Sequence, residues 1–177
     1  MMKYYKWMTV VAFVLLTQAM QCNEDYENEP LYPKNAEGKP EYIYLNTVSA
    51  KRFNRYAVRN GWKWSGSFRI TEEGNLEKFV FTGNGNPVEY YFTSDSVIAF
   101  RYYQDRNVRW RDTYQYDETK NQLNIPSIEY MQVTSLDSLS METIESVEGI
   151  GFFLNFYERM MPFELNARML GFDEIKQ

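Results

Sequence analysis

Trp62-Lys63-Trp64-Ser65-Gly66-Ser67-Phe68-Arg69-Ile70-Thr71 is the stretch that decides the fold. Its residues alternate: Trp62, Trp64, Gly66, Phe68 and Ile70 fall on one side, Lys63, Ser65, Ser67, Arg69 and Thr71 on the other. That is the period of a half-buried β-strand and not of a helix. The pattern recurs further on. Val108, Trp110, Asp112, Tyr114 and Tyr116 oppose Arg109, Arg111, Thr113 and Gln115, and Ile150, Phe152, Leu154 and Phe156 form a last apolar series. The reading is of many short strands that each turn an aromatic-rich face to one interior.

Turn residues punctuate the chain at 72–75, 83–87, 94–96, 104–107, 117–121, 136–138 and 146–149. They leave strands expected near 62–71, 76–82, 88–94, 97–103, 108–117, 122–134, 139–145 and 150–159. Pro126 lacks the N–H that a ladder needs, so the sixth segment reads as two short strands or one bent strand. Phe53, Tyr56 and Ala57 stand at helical spacing after Ser49, an N-cap residue, which predicts a short helix over 49–58. Phe163, Ala167 and Leu170 follow Pro162 and predict a second short helix over 163–170. About eight antiparallel strands with short connections close most naturally into an up-and-down barrel, which removes exposed edges; a β-sandwich of the same strand count is the alternative.

The first thirty residues carry an address. Lys3 and Lys6 precede an apolar run from Trp7 to Leu16, too short to span a bilayer and flanked like a secretory signal, with Cys22 at its end as the only cysteine. A lone cysteine in a secreted chain makes no internal disulfide, and this placement favours modification. Asn23 to Glu29 then supply four acidic side chains, and Pro30, Pro33, Gly38 and Pro40 lie among polar residues. The division expected is a signal over 1–21, a lipidated Cys22 with a flexible acidic tether over 22–41, and one domain over 42–177.

Composition excludes several classes. Lys3 and Lys6 are the only charges before Cys22, so the remainder carries 17 basic against 24 acidic residues, which speaks against nucleic acid as a partner. Histidine is absent, which removes His-based triads and His-containing zinc sites. No metal, cofactor or catalytic constellation is expected, and the paired acids Glu72–Glu73 and Asp117–Glu118 read as turn residues. Aromatics make up 18% of the chain, enough to line a cavity or to fill a core.

The layout resembles the lipocalin-like lipoproteins of Bacteroidetes. The resemblance rests on Cys22 after a signal, the short helix, Gly61 with Trp62 and Trp64 opening the first strand, the hairpin Phe92 to Val97, the run Tyr114 to Ile125, and Ser135 to Leu139. It spans roughly residues 45–160. In that family a Gly, any residue, then Trp closes the barrel base and an Arg after the last strand packs over the Trp; here Trp62 adjoins Gly61 and Arg159 is the matching Arg. The lipobox also departs, with Gln21 and Ala19 where the family has a small residue and a leucine, so ordinary signal cleavage and an uncleaved anchor stand beside lipidation.

The resemblance implies a cell-envelope lipoprotein of the outer membrane, surface-exposed through its tether, and not an enzyme. Its expected role is to bind or carry a small hydrophobic or amphipathic ligand, with Trp64, Phe68, Trp110, Tyr114, Phe152 and Phe156 lining a cavity. Arg101 and Asp112, in phase with apolar neighbours, are expected to orient a polar ligand group. The alternative is a structural or interaction lipoprotein whose barrel is filled and whose loops contact a cell-surface protein. Interlocking side chains in the interior favour the second, an empty cavity the first.

Overall fold

A computed structural model describes residues 30–42, 46–79 and 88–176. The signal, Cys22, residues 23–29 of the expected tether and the turn at 83–87 lie outside the described residues. The described residues are mostly β, with 49% in strands and 12% in helix. Eleven strands in the described residues form one sheet: β1 (Gly61–Ile70), β2 (Leu76–Lys78), β3 (Glu89–Phe92), β4 (Ser96–Tyr102), β5 (Asn107–Thr113), β6 (Gln115–Asp117), β7 (Gln122–Asn124), β8 (Met131–Leu136), β9 (Ser140–Val147), β10 (Gly151–Arg159) and β11 (Asp173–Glu174). Two helices among the described residues complete it, α1 (Ala50–Tyr56) and α2 (Pro162–Gly171).

The excess over eight strands has identifiable causes. The expected strand over 108–117 breaks at Tyr114 into β5 and β6, and the segment containing Pro126 splits into β7 and β8. After α2, β11 adds to the edge of β5 in parallel, with Asp173 opposite Val108, so the sheet is mixed and not purely antiparallel. Its order is β11-β5-β4-β3-β1-β10-β9-β8-β7-β6, with β2 beside β1. This is a curled open sheet, a half-barrel. β5, flanked on its outer side only by the two residues of β11, and the edge strand β6 are consecutive in the chain with only Tyr114 between them, so the backbone itself brings the two ends of the curl together.

Register decides which residues face inward. β1 pairs with β10 as Trp64 opposite Tyr157 and then Gly66 opposite Phe156, which leaves Ser65 as an extra residue. A β-bulge of this kind inverts the phase of everything after it. Trp62 and Trp64 therefore face the interior, Ser67 follows them opposite Asn155, and Phe68 and Ile70 turn outward. The same applies to β10, where Phe153, Asn155 and Tyr157 are buried inside while Phe152, Leu154 and Phe156 belong to an outer cluster. Three residues expected to line the cavity, Phe68, Phe152 and Phe156, thus lie on the opposite face.

The outer cluster exists because the N-terminal segment covers that face. Tyr32, stacked on Tyr42 with ring centroids 5.3 Å apart, packs with Ile70, Tyr130, Ile144 and Leu154. The segment is pinned where the Tyr32 N–H donates to Gly74 O at 3.2 Å. Gly74 has φ +80°, and a Cβ there would stand 2.5 Å from the Tyr32 carbonyl oxygen, so only glycine fits this turn. Residues 30–41, read as linker from their prolines and charges, are tied to the sheet along this path, and Lys34 pairs with Glu72.

Helix α1 plugs one end. Ser49 caps it, its Oγ accepting Arg52 N–H at 3.2 Å. Phe53, fully buried, stacks on Tyr116 at 4.3 Å and meets Phe92 and Tyr114 edge-on. Side chains of this size contribute about 1.5–3 kcal/mol each on burial. Trp62 lies beneath the helix, its Nε1–H pointing to Ala57 O at 3.5 Å. Arg159 is the register partner of Trp62, and its guanidinium reaches Ser138 O at 3.5 Å. Helix α2 lies on the outer face of β3 and β4 through Arg168, which donates to Glu89 at 2.9 Å; beyond the helix, Phe172 packs edge-on against Phe100 and Tyr102.

Candidate functional site

The inner face carries a buried acid. Glu145 on β9 stands opposite Phe153 of β10 and Met131 of β8. Its Oε2 accepts Tyr90 O–H at 2.9 Å, its Oε1 accepts Tyr157 O–H at 2.8 Å, and Thr143 Oγ1 also donates to Oε1. Burial raises the Glu145 pKa above the ordinary glutamate value, against the pull of these hydrogen bonds. Desolvation likewise raises Tyr90 and Tyr157, with the neighbouring Glu145 adding to it. Beside this group Trp64 Nε1–H donates to Ser67 Oγ at 2.8 Å, and Ser67 Oγ donates to Asn155 Oδ1. The bulge in β1 is what brings Ser67 inward to make this chain of bonds.

The open side of the curl is latched. Asp112 Oδ2 accepts the N–H of Ser127 at 3.0 Å, and Trp110 Nε1–H donates to Ser127 Oγ at 3.3 Å. Two inward side chains of β5 thereby hold the 125–128 turn between β7 and β8, and they do so across the gap that the sheet leaves unpaired. Tyr114, at the break between β5 and β6, donates its O–H to Thr93 O at 2.8 Å.

The expected site residues separate into three groups. Trp64, Arg101, Trp110 and Asp112 are on the inner face, Tyr114 sits at the seam, and Phe68, Phe152 and Phe156 are outside. Trp110 and Asp112 serve the latch, and Trp64 serves the Ser67–Asn155 chain. Arg101 lies with its guanidinium 5.7 Å from the Trp110 ring, and its buried Nε has no hydrogen-bond acceptor. Gln132, in phase with Tyr130, is buried on the outer face and donates to Lys120 O at 3.1 Å.

The centre of the described interior is closely packed. Trp62, Phe92, Met131, Val133, Leu136, Met141 and Phe153 have 0% exposure, which leaves no water-sized space against them. Two larger clefts open to solvent instead. One of about 460 Å³ lies between Tyr42, Glu41 and the Thr119–Asn121 turn, the other of about 380 Å³ along the seam between Tyr114, Leu123 and Pro126. Among the described residues no three His, Cys, Asp or Glu side chains are grouped to hold a metal ion, and no helix is long and apolar enough to cross a membrane.

The residues missed from sequence are Glu145, Tyr90, Tyr157, Thr143, Asn155 and Ser127. A weak signal was present: Asn155 is the single polar side chain in the run Phe152 to Tyr157, and an amide held in such a run has a buried partner. Compared with known proteins, the chain matches no family model, no curated protein and no solved structure.

Proposed function

We propose that this chain is a cell-envelope lipoprotein, anchored through Cys22, whose lipocalin-like barrel is a filled scaffold that meets a cell-surface partner from outside. The observation that carries the reading is the close packing at the centre of the inner face: a carrier of an apolar ligand needs a few hundred cubic ångströms of enclosed space, and Trp62, Phe92, Met131, Val133, Leu136 and Met141 are fully closed off by their neighbours. The saturated hydrogen bonds around Glu145 favour the same reading, since a fully paired network fixes a core in one arrangement. No catalytic step is part of the proposal.

Orientation follows from where the tether enters. Pro30 lies at the β1–β2 turn, against Gly74, at the end of the half-barrel opposite α1. Lipid on Cys22, eight residues earlier, would hold that end toward the membrane and present α1, the β8–β9 turn and the start of α2 outward. Those elements carry exposed apolar side chains, Leu139 at 72%, Phe163 at 72% and Met161 at 58%, and exposed apolar groups grouped in this way are a feature of contact surfaces.

Native mass spectrometry of the full chain, extracted in mild detergent from its own source, tests the reading. The expected spectrum has the lipidated chain, alone or with a protein partner, and no stoichiometric apolar small molecule. A one-to-one apolar adduct that survives delipidation of the detergent micelle would restore the carrier reading. Loss of the lipid mass in Cys22→Ala is expected, and its retention would remove the anchor from the proposal.

A further inference from the structure

We propose that the end of the half-barrel carrying α1 and the β8–β9 turn docks an acidic segment of a partner protein, with Arg52 and Arg159 receiving carboxylates on either side of the exposed Leu139. The proposal rests on the reading of the chain as a scaffold that presents this end outward. Charge along the chain is distributed unevenly. Between Glu41 and Glu72 stand Lys51, Arg52, Arg55, Arg59, Lys63 and Arg69, six of the 17 basic residues after Cys22, and none of the 24 acidic residues lies in this stretch. Lys63 pairs with Glu158 and Glu164, and Arg69 pairs with Glu77. Lys51, Arg52, Arg55 and Arg59, and likewise Arg159, are exposed and make no ion pair among the described residues.

Two of these arginines are moored to one turn. Arg52 donates Nε–H to Leu136 O at 2.8 Å, and Arg159 donates from Nη1 to Ser138 O at 3.5 Å. Leu139, 72% exposed, stands in the same turn, and its carbonyl accepts the Arg159 N–H at 2.9 Å. The acid of this turn, Asp137, is already engaged: its carboxylate accepts the Leu139 N–H, the Ser140 N–H and the Ser140 O–H. Glu118, at the start of α1, is spent on the Ala50 N–H. A guanidinium held by a backbone carbonyl loses little further freedom on receiving a carboxylate, and its remaining N–H groups keep the fork geometry that suits one. An apolar side chain between two such charges is the usual plan of a contact surface, apolar at the centre and polar at the rim. Charge complementarity therefore selects an acidic segment with an apolar side chain of its own. An anionic bilayer fits less well, because lipid on Cys22 would hold the opposite end to the membrane.

The test is calorimetric titration of the delipidated full chain with two soluble peptides, one repeating Glu-Leu-Glu-Gly and the other Lys-Leu-Lys-Gly. The Glu peptide is expected to bind saturably and more weakly as salt rises, and the Lys peptide is expected not to bind. Reversing both charges, Arg52→Glu with Arg159→Glu, should weaken the Glu peptide at least about tenfold and create binding of the Lys peptide, a gain that a merely damaged turn does not produce. Leu139→Ser leaves both arginines in place and should weaken the Glu peptide at an unchanged unfolding midpoint. Equal binding of the two peptides to the unmodified chain overturns the proposal without recourse to any variant, as does the absence of Glu peptide binding at millimolar concentration. Tighter binding to vesicles containing phosphatidylglycerol would assign the surface to a membrane, and self-association abolished by Leu139→Ser would assign it to a second copy; either overturns the choice of a partner protein. Failure of the peptides beside a protein partner in the native mass spectrum overturns this docking surface and leaves the scaffold standing, whereas a stoichiometric apolar adduct in that spectrum removes the scaffold itself.

Discussion

Asp112 accepts the backbone N–H of Ser127 at 3.0 Å, and this bond joins an inward side chain of β5 to the turn that follows β7. The sheet itself makes no ladder between these two strands. The half-barrel is therefore held shut on this side by side chains and by the passage of the backbone through Tyr114.

Removing the acceptor should loosen that side alone. Asp112→Ala is expected to cost about 1 kcal/mol, the net worth of a partly exposed hydrogen bond, and Asp112→Asn less, because its amide oxygen still accepts. Native-state hydrogen exchange reads the effect where it occurs: the Ser127 amide should be protected in the unmodified chain and exposed in Asp112→Ala. A Ser127 amide that exchanges at the unprotected rate in both would mean that the latch does not form.

The bulge at Ser65 makes a prediction opposite to the one that strict alternation makes. Phe68 is 39% exposed on the outer face, where it meets Phe156 edge-on at 6.0 Å, so Phe68→Ala should cost only about 1 kcal/mol. Ser67→Ala removes the bonds to Trp64 Nε1–H and Asn155 Oδ1, both partly shielded from water, and should cost about 1–3 kcal/mol. Urea unfolding of the two variants ranks them, and a loss at Phe68 well above that at Ser67 would restore the uninterrupted alternation.

Glu145 gives a pH signature. Burial raises its folded pKa above the ordinary glutamate value of 4.5, so above that pH the folded state holds a proton that the unfolded state has released. Stability supplied by the protonated form is complete below 4.5 and declines between 4.5 and the raised value, by up to about 1.4 kcal/mol per unit, and the loss is complete once the group is ionised in both states. Glu142 is raised in the same direction by burial and by Asp137, while Asp95, Asp117 and Asp137 are lowered by their turn hydrogen bonds and act oppositely on the acid side. These contributions are common to the unmodified chain and Glu145→Gln, so their difference isolates Glu145. Unfolding free energies measured from pH 4 upward should show the unmodified chain losing ground to Glu145→Gln; a constant or opposite difference would mean that Glu145 is not buried.

Much of this architecture was legible in the sequence, and the failures have specific causes. Pro126 marked a break in its strand because a ladder cannot spare the N–H, and Ser49 and Pro162 marked both helix starts through capping chemistry. The strand pattern identified Trp62, Trp64 and Trp110 as inward because one apolar phase was present there. It failed at Phe68 because one inserted residue reverses a two-residue period, and nothing in Ser65-Gly66 distinguishes a bulge from a strand interior. It failed in β10 because this strand is covered on both faces, by the core and by the N-terminal segment, so Phe152, Phe153, Leu154 and Phe156 give no alternation to read. Glu145 was invisible for a different reason: Tyr90 and Tyr157, which bury it, lie 55 and 12 residues away, and pairing across that distance has no local signature.

Equilibrium titration of the delipidated full chain with a neutral naphthalene-type fluorophore tests the filled interior most directly, because such a probe reports enclosed apolar volume without engaging a charged side chain. The account predicts a linear, non-saturating response, unchanged in Trp64→Ala variants that remain folded. Saturable one-to-one binding by the unmodified chain, displaced by a competing neutral apolar molecule, would show a hollow barrel and contradict it.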